Sequence, residues 1–196
     1  PIAIDIGIIK IRWYAISYIC GILLSWFLIL KIIKIKNVEI SNKNISDLVS
    51  NCMIGIIVGG RLGYVIFYNP EYYFHNLLEI FKIWNGGMSF HGGFIGVVIA
   101  VIYSSKSYKI SLMIFSDLIS IVSPIGIFFG RIANFINGEL YGKVTNHKFG
   151  MIFPKGGSLP RHPSQLYEAF LEGLLLFVIL WLFCLLYTSD AADELC

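Results

Sequence analysis

The chain has 196 residues, 57% of them hydrophobic and only 14% charged, with a formal charge of +3 and a mean hydropathy of +0.75. Soluble domains carry roughly 25% charged residues, so the composition excludes an ordinary soluble domain and points to a polytopic membrane protein. The charge is small and no basic stripe alternates with aromatics, which argues against nucleic acid as a partner.

The first long apolar run is Trp13 to Ile33, with Trp13 and Tyr14 at its start, where interfacial aromatics belong. It ends in Lys31, Lys34, Lys36 and Lys43. The second run, Leu48 to Tyr68, is interrupted by Gly55, Gly59, Gly60, Arg61 and Gly63 and ends at Asn69-Pro70. Small residues of this kind let helices approach closely in lipid. Tyr72 to Trp84 is amphipathic and too short to span, which predicts an interfacial helix. The third run is Phe94 to Tyr103, closed by Lys106 and Lys109; the fourth is Leu112 to Phe129, with Asp117 and Pro124 inside it. A polar, Gly- and Pro-rich connection follows over 135–163. The fifth run, Gln165 to Leu186, has Glu168 and Glu172 in its first turns, where carboxylates suit the helix dipole. The expectation is an all-α fold of about five spans with interfacial helices. The basic loops after the first and third spans predict a cytoplasmic side for those lysines.

Under this topology three polar clusters share the other side. They are Arg12-Trp13-Tyr14, the glycine-flanked His91, and the stretch GRIANFINGELYG over 130–142. That stretch combines Arg131, Asn134, Asn137 and Glu139 at the end of an apolar run. A charge at the end of a span needs a partner or a ligand. Arg131 can grip a phosphate with a bidentate fork, or snorkel to the head groups. His91 can act as a base near neutral pH, or cap a helix start. Glu139 can orient Arg131 or position a nucleophile, or be a solvated loop carboxylate. Tyr14 can donate to a phosphate or carbonyl oxygen, or belong to the interfacial belt. Glycines such as Gly92 and Gly93 allow close approach of a substrate or a helix. Arg61 can pair with Asp117 inside the bilayer, snorkel, or serve as a selectivity charge. The cysteines show neither a CxxC pair nor metal-ligand spacing, so no disulfide framework and no metal site are expected. Taken by themselves the residues describe a membrane enzyme or transporter for an anionic, lipidic substrate. An anion transporter or channel of the inner membrane and a non-catalytic assembly subunit are the competing readings; polar clusters gathered on one side favour an interfacial enzyme.

Four blocks, GGRLGYVIFYNP (59–70), WNGGMSFHGG (84–93), GRIANFINGELYG (130–142) and PRHPSQLYEAFLEG (160–173), resemble the signature blocks of bacterial prolipoprotein diacylglyceryl transferases, and fall in the same order. The resemblance implies transfer of a diacylglyceryl group from phosphatidylglycerol to the lipobox cysteine thiol of a prolipoprotein signal peptide, in the bacterial inner membrane, with the active site toward the periplasm. It implies no cofactor and no metal. It matches His91, Glu139, Asn134 and Tyr14 to catalytic positions. Arg131 corresponds to a phosphate-binding position, with Asn137, Gly92, Gly93 and Arg61 counted among the substrate-binding residues. The family pattern has seven spans and a later arginine beyond the PSQLYE helix, so the resemblance implies a transferase domain over 1–183, incomplete at its C-terminal end and inactive as it stands. Residues 184–196 turn acidic and carry no Ile, Lys or Asn, against the habit of the rest of the chain. They resemble the translation of a transposon-end adapter from DNA library preparation, so a non-native tail is expected there.

Overall fold

In the computed structural model residues 2–5 and 10–186 are described. A short antiparallel pair, β1 (Ile2–Asp5) and β2 (Lys10–Arg12), precedes α1 (Trp13–Lys36). Then come α2 (Asn42–Tyr68), α3 (Pro70–His75), two 3₁₀ turns (Leu77–Phe81 and Ile83–Asn85), α4 (Phe90–Tyr108) and α5 (Leu112–Asn137). The last helical stretch is continuous: α6 (Ser164–Glu168), a π-helical segment (Ala169–Leu175) and α7 (Leu176–Leu186). The fold is helical apart from the β1–β2 ladder and two isolated bridges in the 142–163 connection. Of the expected tail, only 184–186 belong to the described residues, and they extend α7. Cys20 and Cys52 carry free thiols, whereas Cys184 is disulfide-bonded, contrary to the sequence expectation.

Four helical stretches among the described residues are long and apolar enough to cross a membrane: Trp13–Lys36, Asn42–Tyr68, Leu112–Asn137 and Ser164–Leu185. Only 17–33% of each apolar window is buried, so most of these apolar side chains face outward, as a lipid solvent allows. The expected third span lies within α4. Its 19 residues reach ~28 Å, but His91 at its start and the run Ser104–Tyr108 at its end make it more polar than the other four. The amphipathic stretch Tyr72–Trp84 is not one helix. It breaks into α3 and two 3₁₀ turns, with Phe74, Leu78, Phe81 and Trp84 exposed along it.

The chain divides into two units, 39–116 and 1–38 with 117–196. The first is organised by a glycine seam between α2 and α4. A methyl group on Gly96 would lie 1.9 Å from the Gly55 carbonyl oxygen, and one on Gly92 would lie 2.2 Å from that of Gly59. Gly63 is equally filled, by the Gly92 Cα at 2.8 Å. The two backbones are therefore in direct contact, the arrangement small-xxx-small patterns permit in lipid. Two polar ties stand at the far end of the seam: Asn51 Nδ2 donates to Ser104 Oγ at 3.0 Å, and the Tyr108 hydroxyl to Asp47 Oδ2 at 3.0 Å. Ser41 caps α2 by accepting from the Asn44 N–H, and Ser89 caps α4 by accepting from that of Gly92.

In the second unit, Gly21 of α1 faces the Gly126 Cα of α5, and Gly173 of the π segment lies against the Phe128 backbone. The seam in the first unit sets a sharp test. Gly96→Ala has no room and should lower the unfolding stability in detergent by about 1–3 kcal/mol or more. Gly126→Ala meets nothing within 4 Å and should be neutral or gain up to ~1 kcal/mol from helix propensity. Thermal unfolding midpoints of the two variants check this; equal midpoints would contradict a backbone-on-backbone seam.

Candidate active site

The end of α5 is built by its own sequence. Arg131 and Asn134 are three residues apart on a helix and share a face. Asn137 closes the helix and Gly138 follows in the left-handed region at φ 62°. The Gly138 N–H donates to the Phe135 carbonyl at 3.0 Å and the Glu139 N–H to the Asn134 carbonyl at 2.9 Å. This double closure is a Schellman cap, which glycine permits at little cost. The cap turns the chain back on the helix end, so Glu139 stands beside Asn134 instead of one helix turn beyond it.

Both side chains meet Tyr14 near the start of α1. The Tyr14 hydroxyl donates to Asn134 Oδ1 and lies 3.0 Å from Glu139 Oε2. A phenol has a single proton. With the Asn134 amide turned end for end, Nδ2 donates to the phenol oxygen and the phenol proton goes to Glu139, satisfying all three groups. Asn137 also lies beside this hydroxyl, and its Oδ1 is a buried acceptor with no hydrogen-bond partner among the described residues. Lys155 Nζ sits 3.2 Å from Glu139 Oε1 on the solvent side; an exposed pair of this kind contributes at most about 1 kcal/mol.

The start of α6 holds the turn from the other side. Gln165, fully buried, donates from Nε2 to the Glu139 carbonyl at 2.5 Å, and Ser164 Oγ donates to the Leu140 carbonyl at 2.9 Å. The 142–163 connection between them is ordered by main-chain bonds. Gly142 N–H donates to the His162 carbonyl, Thr145 N–H to Pro160, and Arg161 and Met151 exchange both bonds. Arg161 lies inside this connection. Its Nε donates to the Gly156 carbonyl at 3.1 Å, and its guanidinium stands over the Tyr141 ring at 5.1 Å.

Glu139 does not orient Arg131. The carboxylate at Arg131 is Glu168, whose Oε2 lies 2.7 Å from Nε. The two form a partly shielded salt bridge. No hydrogen bond ties the two Nη nitrogens of Arg131 to another described residue. Sequence reasoning saw in Glu168 only a helix-start carboxylate; the signal that could have singled it out is the PSQLYE block itself.

His91 and Arg61 belong to the other unit. His91 is the second residue of α4, is exposed, and has its ring edge-on to Phe90 at 5.8 Å. No described residue makes a hydrogen bond to its ring nitrogens. Arg61 is only 4% exposed. Its Nε donates to the Ile80 carbonyl at 2.8 Å, Nη1 to Gly86 and Gly87 at 2.5 and 3.1 Å, and Nη2 to Glu79 and Lys82 at 2.6 and 3.3 Å. A guanidinium has five N–H groups, and here each has a carbonyl. Main-chain oxygens hold this cation, rather than Asp117, the head groups or an anion, and no donor remains for a substrate. Gly92 is likewise taken up by α2 rather than left open. Gly93 is buried, with ordinary contact space toward Ile56 at 3.6 Å.

A family profile described as prolipoprotein diacylglyceryl transferase matches residues 1–193. The chain belongs to the prolipoprotein diacylglyceryl transferase family. The phosphatidylglycerol–prolipoprotein diacylglyceryl transferase of Rickettsia felis is 56% identical over 180 residues, covering 92% of this chain and 70% of the relative. Those of Rickettsia conorii and Rickettsia typhi are each 56% identical over 180 residues, with the same coverage. Membership of this transferase family weighs against the anion transporter or channel. The family's blocks also acquire separate tasks in this chain. The first two supply Arg61 and the glycine seam at the start of α4; the last two contribute to the Tyr14–Asn134–Glu139 network and the Arg131–Glu168 pair.

The network predicts the effect of removing one oxygen. Tyr14→Phe keeps the ring but leaves the buried Asn134 amide without its hydroxyl partner and removes a donor from Glu139 Oε2, which costs about 1–3 kcal/mol. A fall in the unfolding midpoint of that size in detergent is expected. An unchanged midpoint would mean that the hydroxyl does not bridge the two groups.

Proposed function

We propose that this protein transfers the diacylglyceryl group of phosphatidylglycerol to the cysteine thiol in the lipobox of a prolipoprotein signal peptide, at the periplasmic side of the bacterial inner membrane. The observation that carries the reading is the family match over 1–193, joined to an Arg131 whose two Nη nitrogens have no hydrogen-bond partner among the described residues. A guanidinium in that state can take a phosphodiester through both Nη groups. An exposed His91 can accept the proton of the thiol.

In this reading the thiol, with an ordinary pKa of ~8.5, gives its proton to His91. The thiolate attacks the glyceryl carbon that carries the phosphate ester oxygen. The carbon–sulfur bond forms as the carbon–oxygen bond breaks, and glycerol phosphate leaves with the electron pair on its oxygen. Arg131 steadies the phosphate as that charge grows, a preorganised role commonly worth ~3–4 kcal/mol per donor. Asn134, Asn137, Glu139 and Tyr14 keep the end of α5 in one conformation beside the phosphate, and the unpartnered Asn137 Oδ1 is an acceptor for the glycerol hydroxyls. Gly93 lines the approach to His91. No metal or cofactor enters the chemistry.

Two experiments test this. In the full-length protein, His91→Gln should abolish complementation of a transferase-depleted bacterium while the protein still accumulates in the membrane. Normal growth would remove His91 from the mechanism. For orientation, a cysteine at Lys155 should react with an impermeant thiol reagent added to intact spheroplasts and one at Lys106 should not; the reverse pattern overturns the assignment of sides.

A further inference from the structure

The π-helical segment Ala169–Leu175 lies between two contacts with α5. Glu168, just before it, pairs with Arg131, and Gly173, within it, packs on Phe128. Phe128 and Arg131 are three residues apart and so share a face of α5. Glu168 and Gly173 are five apart. On an α-helix, at 100° per residue, they would point about 140° away from each other and could not both reach that face. In a π turn hydrogen bonds run from i to i+5, which stacks such residues. The Leu176 N–H bonds to the Leu171 carbonyl in this way.

Gly173 has no room for a side chain. A Cβ there would stand 2.7 Å from the Phe128 Cβ and 2.8 Å from its Cα. The glycine contact holds the segment against α5, and the π turn brings the carboxylate round to the arginine. Glu168 occupies the Nε edge of the guanidinium, which turns the Nη edge toward whatever Arg131 binds. Partly shielded, with side-chain exposures of 30% and 32%, the pair retains its attraction better than a fully solvated one.

We infer that Glu168 is a positioning residue for Arg131, kept in place by the π-helical segment and its glycine contact. The inference rests on the reading of Arg131 as the phosphate-binding group, and the experiment separates the two. In the full-length protein, the KM for phosphatidylglycerol and kcat are measured for Arg131→Lys, Glu168→Gln and the double variant. Glu168→Gln should raise KM by about 10- to 100-fold, the scale of a small misplacement of a binding group, with a lesser change in kcat. In the Arg131→Lys background the same substitution should add little, because coupled residues are not additive. If Arg131→Lys behaves as wild type, the phosphate-binding reading falls and the inference with it. If Arg131→Lys is impaired while Glu168→Gln is not, or if the two losses add in full, the inference alone falls. Should Glu168→Gln fail to accumulate, Glu168→Asp carries the test. It keeps the charge and shortens the reach by one methylene, so KM should rise several-fold at normal abundance; an unchanged KM overturns the inference.

Discussion

Irregular backbone in an apolar setting must find partners for its carbonyl groups, and in the unit 39–116 that requirement falls on Arg61. The chain between α3 and α4 runs through two 3₁₀ turns and a pair of glycines with positive φ, Gly86 and Gly87. Such a path exposes main-chain oxygens that no helix satisfies. One buried guanidinium gathers five of them, and the ring of Tyr73 lies 5.1 Å from its carbon. The charge is stabilised by carbonyl dipoles, and the dipoles are stabilised by the charge. His91 begins its helix immediately after this arrangement, and the Ser89 N–H is tied at 2.8 Å to the Gly60 carbonyl, the residue before Arg61. The start of the histidine's helix is thus placed by an arginine whose donors all go to main-chain carbonyls.

The other unit solves a similar problem without a charge. The Schellman closure at Asn137-Gly138-Glu139 satisfies the last carbonyls of α5 and at once carries Glu139 back to Asn134. Tyr14 then joins two residues that are neighbours because of a turn, not because of a helical period. Gln165 and Ser164 hold the next carbonyls of the same turn. Backbone satisfaction and the placing of candidate active-site groups are again one structural act.

Much of this was legible in the residues and some was not, for physical reasons. Apolar runs long enough to span a bilayer announced α1, α2, α5 and the final helix, since length and hydropathy are local properties. The third apolar run became the centre of α4, whose ends are polar. The aromatic stretch from Tyr72 to Trp84 was read as one helix because amphipathicity does not record where carbonyls must turn toward a buried cation. Glycine spacing in α2 signalled a close helix contact, but its partner in α4 depends on tertiary pairing. Arg61 was weighed as a ligand-binding or membrane charge; its true partners are main-chain atoms, which carry no sequence signature. Glu168 was passed over for the same kind of reason. Its meeting with Arg131 depends on an extra residue in a helical turn, and periodicity counted at 3.6 hides that residue.

The seam between α2 and α4 has a bearing on how the unit 39–116 can move. Packed helices shear past one another by small sliding steps, which interdigitated side chains accommodate by trading rotamers. Gly55, Gly59 and Gly63 against Gly92 and Gly96 offer no rotamers to trade. Successive glycines stand ~6 Å apart along each axis, and any intermediate register would drive an isoleucine or valine into a carbonyl oxygen. Shear is closed to this pair. Any rearrangement of the pair has to be a hinge at the helix ends, where the chain leaves the glycine contact.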